Sequence, residues 1–255
     1  MTDAQTENGK VAAISGGSGY VGSAIARKLA ADGMRVALLY HRTPEKTVND
    51  MITLLPGSGH CAYQCDLEDA GQVAETIAKI ERDMGQIGIS VHAAGIGPHR
   101  GSLLRSSSQD LRDQLSVTVS GGFHFLSACA LAMKERTAGV IIGITTSAVL
   151  ISEAGQGLGA YVPAKYALQG MLAMLRQELA PHHVRVYSVA PGFMSGGMNL
   201  DIPQAFVDMA REKSPAKKFA SADDVADAVS FLCSDHAVHV SNLTLLVAPE
   251  SGALS

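Results

Sequence analysis

The chain has 255 residues, 47% hydrophobic and 17% charged, enough to bury a sizeable core in one large α/β domain or two small ones. Its formal net charge of -4, with no Lys/Arg block, excludes the electrostatic footprint of a nucleic-acid or anionic-membrane binder. The opening stretch MTDAQTENGK is polar and lacks the apolar core of a signal peptide, and no later apolar run approaches the length of a membrane span, so the expectation is a cytoplasmic enzyme or binding protein.

Short β-branched or apolar runs alternate with longer amphipathic ones. Strands are predicted at Val11 to Ser15, Arg35 to Tyr40, His60 to Cys65, Ile89 to His92, Val140 to Thr145, Val184 to Val189 and Leu243 to Val247. Between them, helices are predicted at Tyr20 to Asp32, Ala70 to Met84, Gln109 to Lys134, Tyr161 to Leu179 and Ala222 to Cys233. Alternation sustained from end to end, without linker or repeat, predicts one α/β domain over 1–255, a doubly wound parallel sheet of about seven strands. Cys61, Cys65, Cys129 and Cys233 are too few and too scattered for a disulfide framework and read as free thiols. His182, His183, His236 and His239 read as surface or helix-end residues, because no carboxylate-rich segment accompanies them, and no metal is expected.

The first predicted strand ends at Ser15 and is followed by Gly16, Gly17, Gly19 and Gly22 before a helix opening at Tyr20. Gly17, Gly19 and Gly22 fit G-x-G-x-x-G in the strand–turn–helix setting of a dinucleotide fingerprint, where bare backbone N–H groups approach a pyrophosphate at a helix N-terminus. An NAD site commonly places an acid at the end of the second strand, to hold the ribose 2′-hydroxyl. Here that strand runs into Tyr40, His41 and Arg42. A guanidinium suits a 2′-phosphate, so NADP(H) is favoured, with NAD(H) as the alternative.

AYVPAKYAL places Tyr161 and Lys165 four residues apart, on one face of a helix. A nearby cation favours the phenolate of a tyrosine whose ordinary pKa is about 10, which brings it toward acid–base use. Just before it, the apolar strand VIIGI ends in Thr145, Thr146 and Ser147, and the carboxyl ends of such strands are where ligands bind.

Together these segments resemble the short-chain dehydrogenase/reductase family over nearly the whole chain. The glycine turn, CDLED with Asp66, HAAG at His92 to Gly95, the hydroxyl strand, Tyr161-x-x-x-Lys165, VAPGF at Val189 to Phe193 and the late ADDVADAVSFLCSD stand in the family's order. The resemblance implies Tyr161 as proton donor or base, Lys165 as its pKa-lowering partner on the nicotinamide ribose, and Ser147 or Thr146 as the hydroxyl holding the substrate oxygen. It implies cofactor contacts from Gly16, Gly17, Ser18, Gly19, Tyr20, Val21 and Gly22, from His41, Arg42, Asp66 and Leu67, from Ala93, Ala94 and Gly95, and from Pro191, Gly192 and Met194. It also implies a small-molecule carbonyl or alcohol substrate and a homo-oligomer, tetramer or dimer.

This sequence departs from the family pattern at three places. Tyr20 stands at the family's second glycine, which brings SGGSGYVG closer to the epimerase-like branch. Thr118 stands where the family's proton relay has asparagine, and Gly196 replaces the threonine after the Pro-Gly turn, with Ser195 adjacent. By family analogy, Phe193 to Phe219 forms a flap whose Phe and Met residues suit an apolar pocket. Lys213, Lys217 and Lys218 within it could meet an acidic carrier but read as solvated side chains. The expected function is therefore an NADP(H)-dependent oxidoreductase of ketones or secondary alcohols. Its alternatives are an imine or enoyl reductase and a nucleotide-binding regulatory or scaffolding protein.

Overall fold

The β-branched and apolar runs pair side by side in a computed structural model that describes residues 10–200, 202–214 and 217–248. Residues 1–9 of the polar opening segment lie outside that description, as does the Lys213 side chain. The strands are β1 (Val11–Ser15), β2 (Arg35–Tyr40), β3 (Cys61–Gln64), β4 (Ile87–His92), β5 (Gly139–Ile144), β6 (Val184–Pro191) and β7 (Thr244–Val247). All are parallel, in the order β3-β2-β1-β4-β5-β6-β7, so the strand order reverses next to β1. That reversal opens a crevice at the carboxyl ends of β1 and β4, the usual ligand position in such sheets.

Alternating residues of each strand feed two cores. On one face Ala12, Ile14, Val36, Leu38, Ile142 and Val189 pack under α1 (Tyr20–Ala31), α2 (Glu45–Thr53) and the C-terminal α8 (Ala222–Cys233). The other face packs Val11, Ala13, Ala37, Leu39, Ile141 and Val186 under α3 (Ala70–Met84), α5 (Gly121–Arg136) and α6 (Tyr161–Leu179). Burial on both faces is why these strands read as continuous apolar runs rather than as a strict alternation. Arg27 and Lys28 of α1 pair with Asp223 and Asp227 of α8, holding the first and last helices side by side.

Three features differ from the sequence expectation. Glu45–Thr53 and α7 (Gln204–Lys213) are helical, each starting after a proline that sets the entry backbone, Pro44 and Pro203. The predicted helix at Gln109 to Lys134 is three pieces: α4 (Ser108–Leu115), a π-helical turn at Ser116–Ser120, and α5. Finally, the joined run Ser108–Arg136 is long and apolar enough, by length and composition, to cross a membrane, against the reading that no run approaches that length. Its apolarity has a structural use, because Phe125, Leu126, Cys129 and Met133 are packed into the core.

Candidate active site

The turn from β1 to α1 is built around glycine. Gly16 has φ +67°, and a Cβ there would lie 2.6 Å from the Ala94 backbone; a Cβ on Gly22 would lie 2.2 Å from the Gly16 carbonyl oxygen. The first obligatory glycine is therefore Gly16, where the spacing pattern pointed to Gly17, whose missing side chain makes room for Leu38. Gly19 caps α1 with no side-chain hydrogen bond, so the first turn of the helix presents its N–H groups to the crevice.

This turn lines one side of a cleft of about 1310 Å³. Of the residues expected at the cofactor, Gly16, Ser18, Gly19, Tyr20, Val21, Gly22, His41, Arg42, Asp66, Leu67, Ala93, Ala94, Gly95, Pro191, Gly192 and Met194 all line it, and Gly17 lies behind it. Thr146, Ser147, Tyr161 and Lys165 line the same cleft. Thr118 stands just beneath it, behind Gly95.

At the second-strand end, Ser18 and Thr43 share a hydrogen bond of 2.8 Å, and His41 Nε2 lies 3.7 Å from Asp66 Oδ2. Arg42 makes no ion pair among the described residues and lines the cleft together with Ser18 and Thr43.

The three hydroxyls after β5 divide in use. Thr145 is tied to the sheet, its hydroxyl 2.8 Å from that of Ser188. Thr146 caps the next turn, accepting from the Ala148 N–H at 3.5 Å. Ser147 is buried and makes no side-chain hydrogen bond among the described residues, which leaves its hydroxyl available.

Tyr161 opens α6, and Lys165 lies one turn on, its Nζ 5.5 Å from the centre of the Tyr161 ring. The Lys165 ammonium is buried and donates to the Ile144 carbonyl at 2.9 Å. Burial lowers the Lys165 pKa from 10.5 to about 8 and raises that of Tyr161 from 10.0 to about 12. Desolvation thus outweighs the neighbouring cation at the phenol, opposite to the direction that the four-residue spacing suggested.

Behind this pair sits a polar group that motif reading passed over. The His92 ring is wholly buried, sharing a hydrogen bond of 2.8 Å with the Ser15 hydroxyl and reaching the Thr118 carbonyl at 3.3 Å. A carbonyl can only accept, so Nε2 carries the proton and Nδ1 accepts from Ser15. Burial first, and the Lys165 charge second, push the His92 pKa down to about 3, so it stays neutral near pH 7. It ties β1, β4 and the π-helical turn together; a Cβ on Gly122 would lie 2.9 Å from its Nε2, so that glycine accommodates the ring. The sequence signal was the pairing of a histidine at a strand end with a double glycine in a predicted helix.

The π-helical turn is the device that carries Thr118 inward. Its hydroxyl is fully buried without a hydrogen-bond partner among the described residues. A Cβ placed on Gly95 would lie 3.8 Å from that hydroxyl, 3.7 Å from Lys165 Nζ and 3.8 Å from Met198 Cε, so the three converge on Gly95. An unpaired buried hydroxyl next to an ammonium is a place for one more polar partner.

The far wall is the segment after β6. Phe193 and Phe219, the bounds of the expected flap, touch edge to face at 4.7 Å, so the segment is pinched at its neck. Asn199 donates to the Met194 carbonyl at 2.7 Å and accepts from Arg100 at 2.6 Å, joining the flap to the loop after β4. Lys217 pairs with Glu212 on the exposed side, and Lys218 is exposed. Cys61, Cys65, Cys129 and Cys233 form no disulfide among the described residues.

Residues 18–248 match a family model described as enoyl-(acyl carrier protein) reductase. The 3-oxoacyl-[acyl-carrier-protein] reductase of Bos taurus is 31% identical over 226 residues, 88% of this chain and 90% of that one. A 3alpha-hydroxysteroid dehydrogenase of Mediterraneibacter gnavus is 30% identical over 240 residues, 93% of this chain and 95% of that one. The crystal structure of an NAD+-bound xylitol dehydrogenase shares the fold with a TM-score of 0.88, covering 95% of this chain and 99% of that one at 24% identity. Likeness of this extent, over a cleft arranged in this way, establishes that the chain belongs to the short-chain dehydrogenase/reductase family of oxidoreductases.

Proposed function

We propose that the protein is an NADP(H)-dependent oxidoreductase acting on a ketone or secondary alcohol, with Tyr161 as the acid or base. The observation that carries the reading is the convergence of Tyr161, Lys165 and the free Ser147 hydroxyl on a cleft whose other side is the glycine turn. The cradle fits a dinucleotide: Gly16 and Gly22 keep the turn low, and the unblocked first turn of α1 suits a pyrophosphate. A nicotinamide cofactor held in this cradle would supply or accept the hydride. Ser147 holds the substrate oxygen, Tyr161 exchanges a proton with it, and Lys165 steadies the charge beside Tyr161. The orphan Thr118 hydroxyl suits a water that hands protons on toward Lys165.

Thr118→Val tests that last role, because it keeps the shape and removes only the hydroxyl. Since that hydroxyl is unpaired, thermal stability should hold or rise slightly, while kcat falls several-fold, by about 5-fold. Equal kcat would remove Thr118 from the relay.

For the cofactor, Arg42 with Ser18 and Thr43 forms the 2′-phosphate pocket. Titration with NADPH and NADH, read by nicotinamide fluorescence, should favour NADPH, and Arg42→Ala should cost NADPH about tenfold while leaving NADH nearly unchanged. An unchanged NADPH/NADH ratio would sink the pocket. The matched family's description names enoyl reduction, so the substrate panel added to the tighter complex should carry enoyl thioesters and imines beside ketones. Cofactor binding without turnover on any of them would favour the regulatory reading. Phe123 and Leu131 of α5 and Tyr166 and Met174 of α6 are exposed apolar side chains, which supports a homodimer or homotetramer built on these helices; a monomer in sedimentation equilibrium would exclude it.

A further inference from the structure

Two of the departures from the family pattern meet in space. Tyr20 is the first residue of α1, and its ring lies lengthwise along Gly196 and Gly197 of the flap. A Cβ on Gly196 would be 2.6 Å from Tyr20 Cζ and 2.8 Å from its hydroxyl oxygen; one on Gly197 would be 2.8 Å from Cδ1 and 2.9 Å from Cβ. Any side chain at either position would displace the ring, and Gly197 also has φ +61°. A bulky residue where the family has glycine thus faces a glycine, Gly196, where it has threonine.

The contact bridges the cleft. The glycine turn and the segment from Pro191 to Gly197 line its two sides, and Tyr20 reaches from the first to the second. On the other flank, the Arg100–Asn199 hydrogen bond holds the same segment to the loop after β4. Between these fastenings, Met198 lies over Gly95 and Gly97.

We infer that Tyr20 is a positioning residue that clasps the flap to the glycine turn, and that opening of the Tyr20–Gly196–Gly197 contact sets the rate at which the dinucleotide enters and leaves. The release half of this inference rests on the function proposed above; the clasp itself does not. A ligand lying along the cleft would pass beneath the ring, so the flap would have to lift off Tyr20 before that ligand could go.

Hydrogen exchange on the ligand-free protein tests the clasp without any cofactor. Tyr20→Ala should raise amide exchange at 194–200 by about tenfold, the fold-change that loss of one aromatic packing contact gives, while Tyr20→Phe should keep the protection. Gly196→Thr should raise it from the other side, and combining it with Tyr20→Gly should give less than the product of the two single effects, because both remove the same contact. Unchanged exchange in Tyr20→Ala, or independent effects in the double variant, would overturn the clasp. Stopped-flow release of NADPH then tests the consequence: roughly tenfold faster release in Tyr20→Ala, with an unchanged melting temperature, supports gating, and an unchanged rate overturns it. A wild-type protein that binds neither NADPH nor NADH would sink the proposed function and the release half together, while the exchange comparison still decides the contact.

Discussion

Replacing Tyr161 by phenylalanine should lower kcat for carbonyl reduction by roughly a thousandfold and leave the dissociation constant of the nicotinamide cofactor within about threefold of wild type. The ring stays in place, and only a hydroxyl without a side-chain hydrogen bond is lost, so folding should be unaffected or slightly favoured. What disappears is the proton. Burial holds the phenol at about 12, so through the neutral range it is in the acid form that reduction requires. Reduction should therefore be flat from acid to neutral pH and decline above about 8, as Lys165 loses its charge. Oxidation needs the phenolate and should climb with pH, since the base fraction rises tenfold per unit below the pKa. Steady-state rates in both directions over a pH series check this. Turnover retained in Tyr161→Phe would overturn the assignment of the acid.

Lys165→Met should abolish turnover and yet stabilise the fold. Burial lowers the lysine's pKa from 10.5 to about 8, so the folded protein carries the ammonium at a cost of roughly 3 kcal/mol at neutral pH. The sign follows from proton counting: between about 8 and 10.5 the unfolded chain binds the proton that the folded one has released, so wild-type stability rises with pH across that window. Below about 8 the penalty is present in full. Methionine fills similar space without charge, and losing the 2.9 Å bond to the Ile144 carbonyl offsets part of the gain. The net expectation at pH 7 is about 1–2 kcal/mol, a rise of several degrees in melting temperature. The gap from wild type should narrow as pH is raised from 8 toward 10. Denaturant melts at pH 7 and pH 10 read both effects, and a variant less stable than wild type at pH 7 would show that Lys165 is held by favourable contacts rather than at a cost. A more stable Lys165→Met would make Lys165 an example of a function retained against stability.

Strand identity was legible because burial on both faces writes an uninterrupted apolar run, and β1 and β2 begin and end where the sequence predicted. The helices α3, α6 and α8 likewise kept their predicted bounds, α6 with Tyr161 as its first residue. Less was legible in the short helices: Glu45–Thr53 has nine residues and Gln204–Lys213 ten, too few turns for an apolar period to stand out in the sequence. The π-helical turn at Ser116–Ser120 was hidden for a different reason, since one extra residue in a helical turn leaves composition unchanged and shows only in which way Thr118 points.

The sequence by itself determined the doubly wound order of elements, the glycine turn, and the Tyr161–Lys165 face, because each is set by spacing along a few neighbouring residues. Only the tertiary structure decided that Gly16 rather than Gly17 takes the left-handed backbone of the turn, that Ser147 rather than Thr146 has a free hydroxyl, and that His92 braces the turn carrying Thr118. It alone also showed that Tyr20 answers Gly196 and Gly197 across the cleft. Those outcomes depend on contacts between segments tens to hundreds of residues apart, and on how much water each group loses there, neither of which a local pattern encodes.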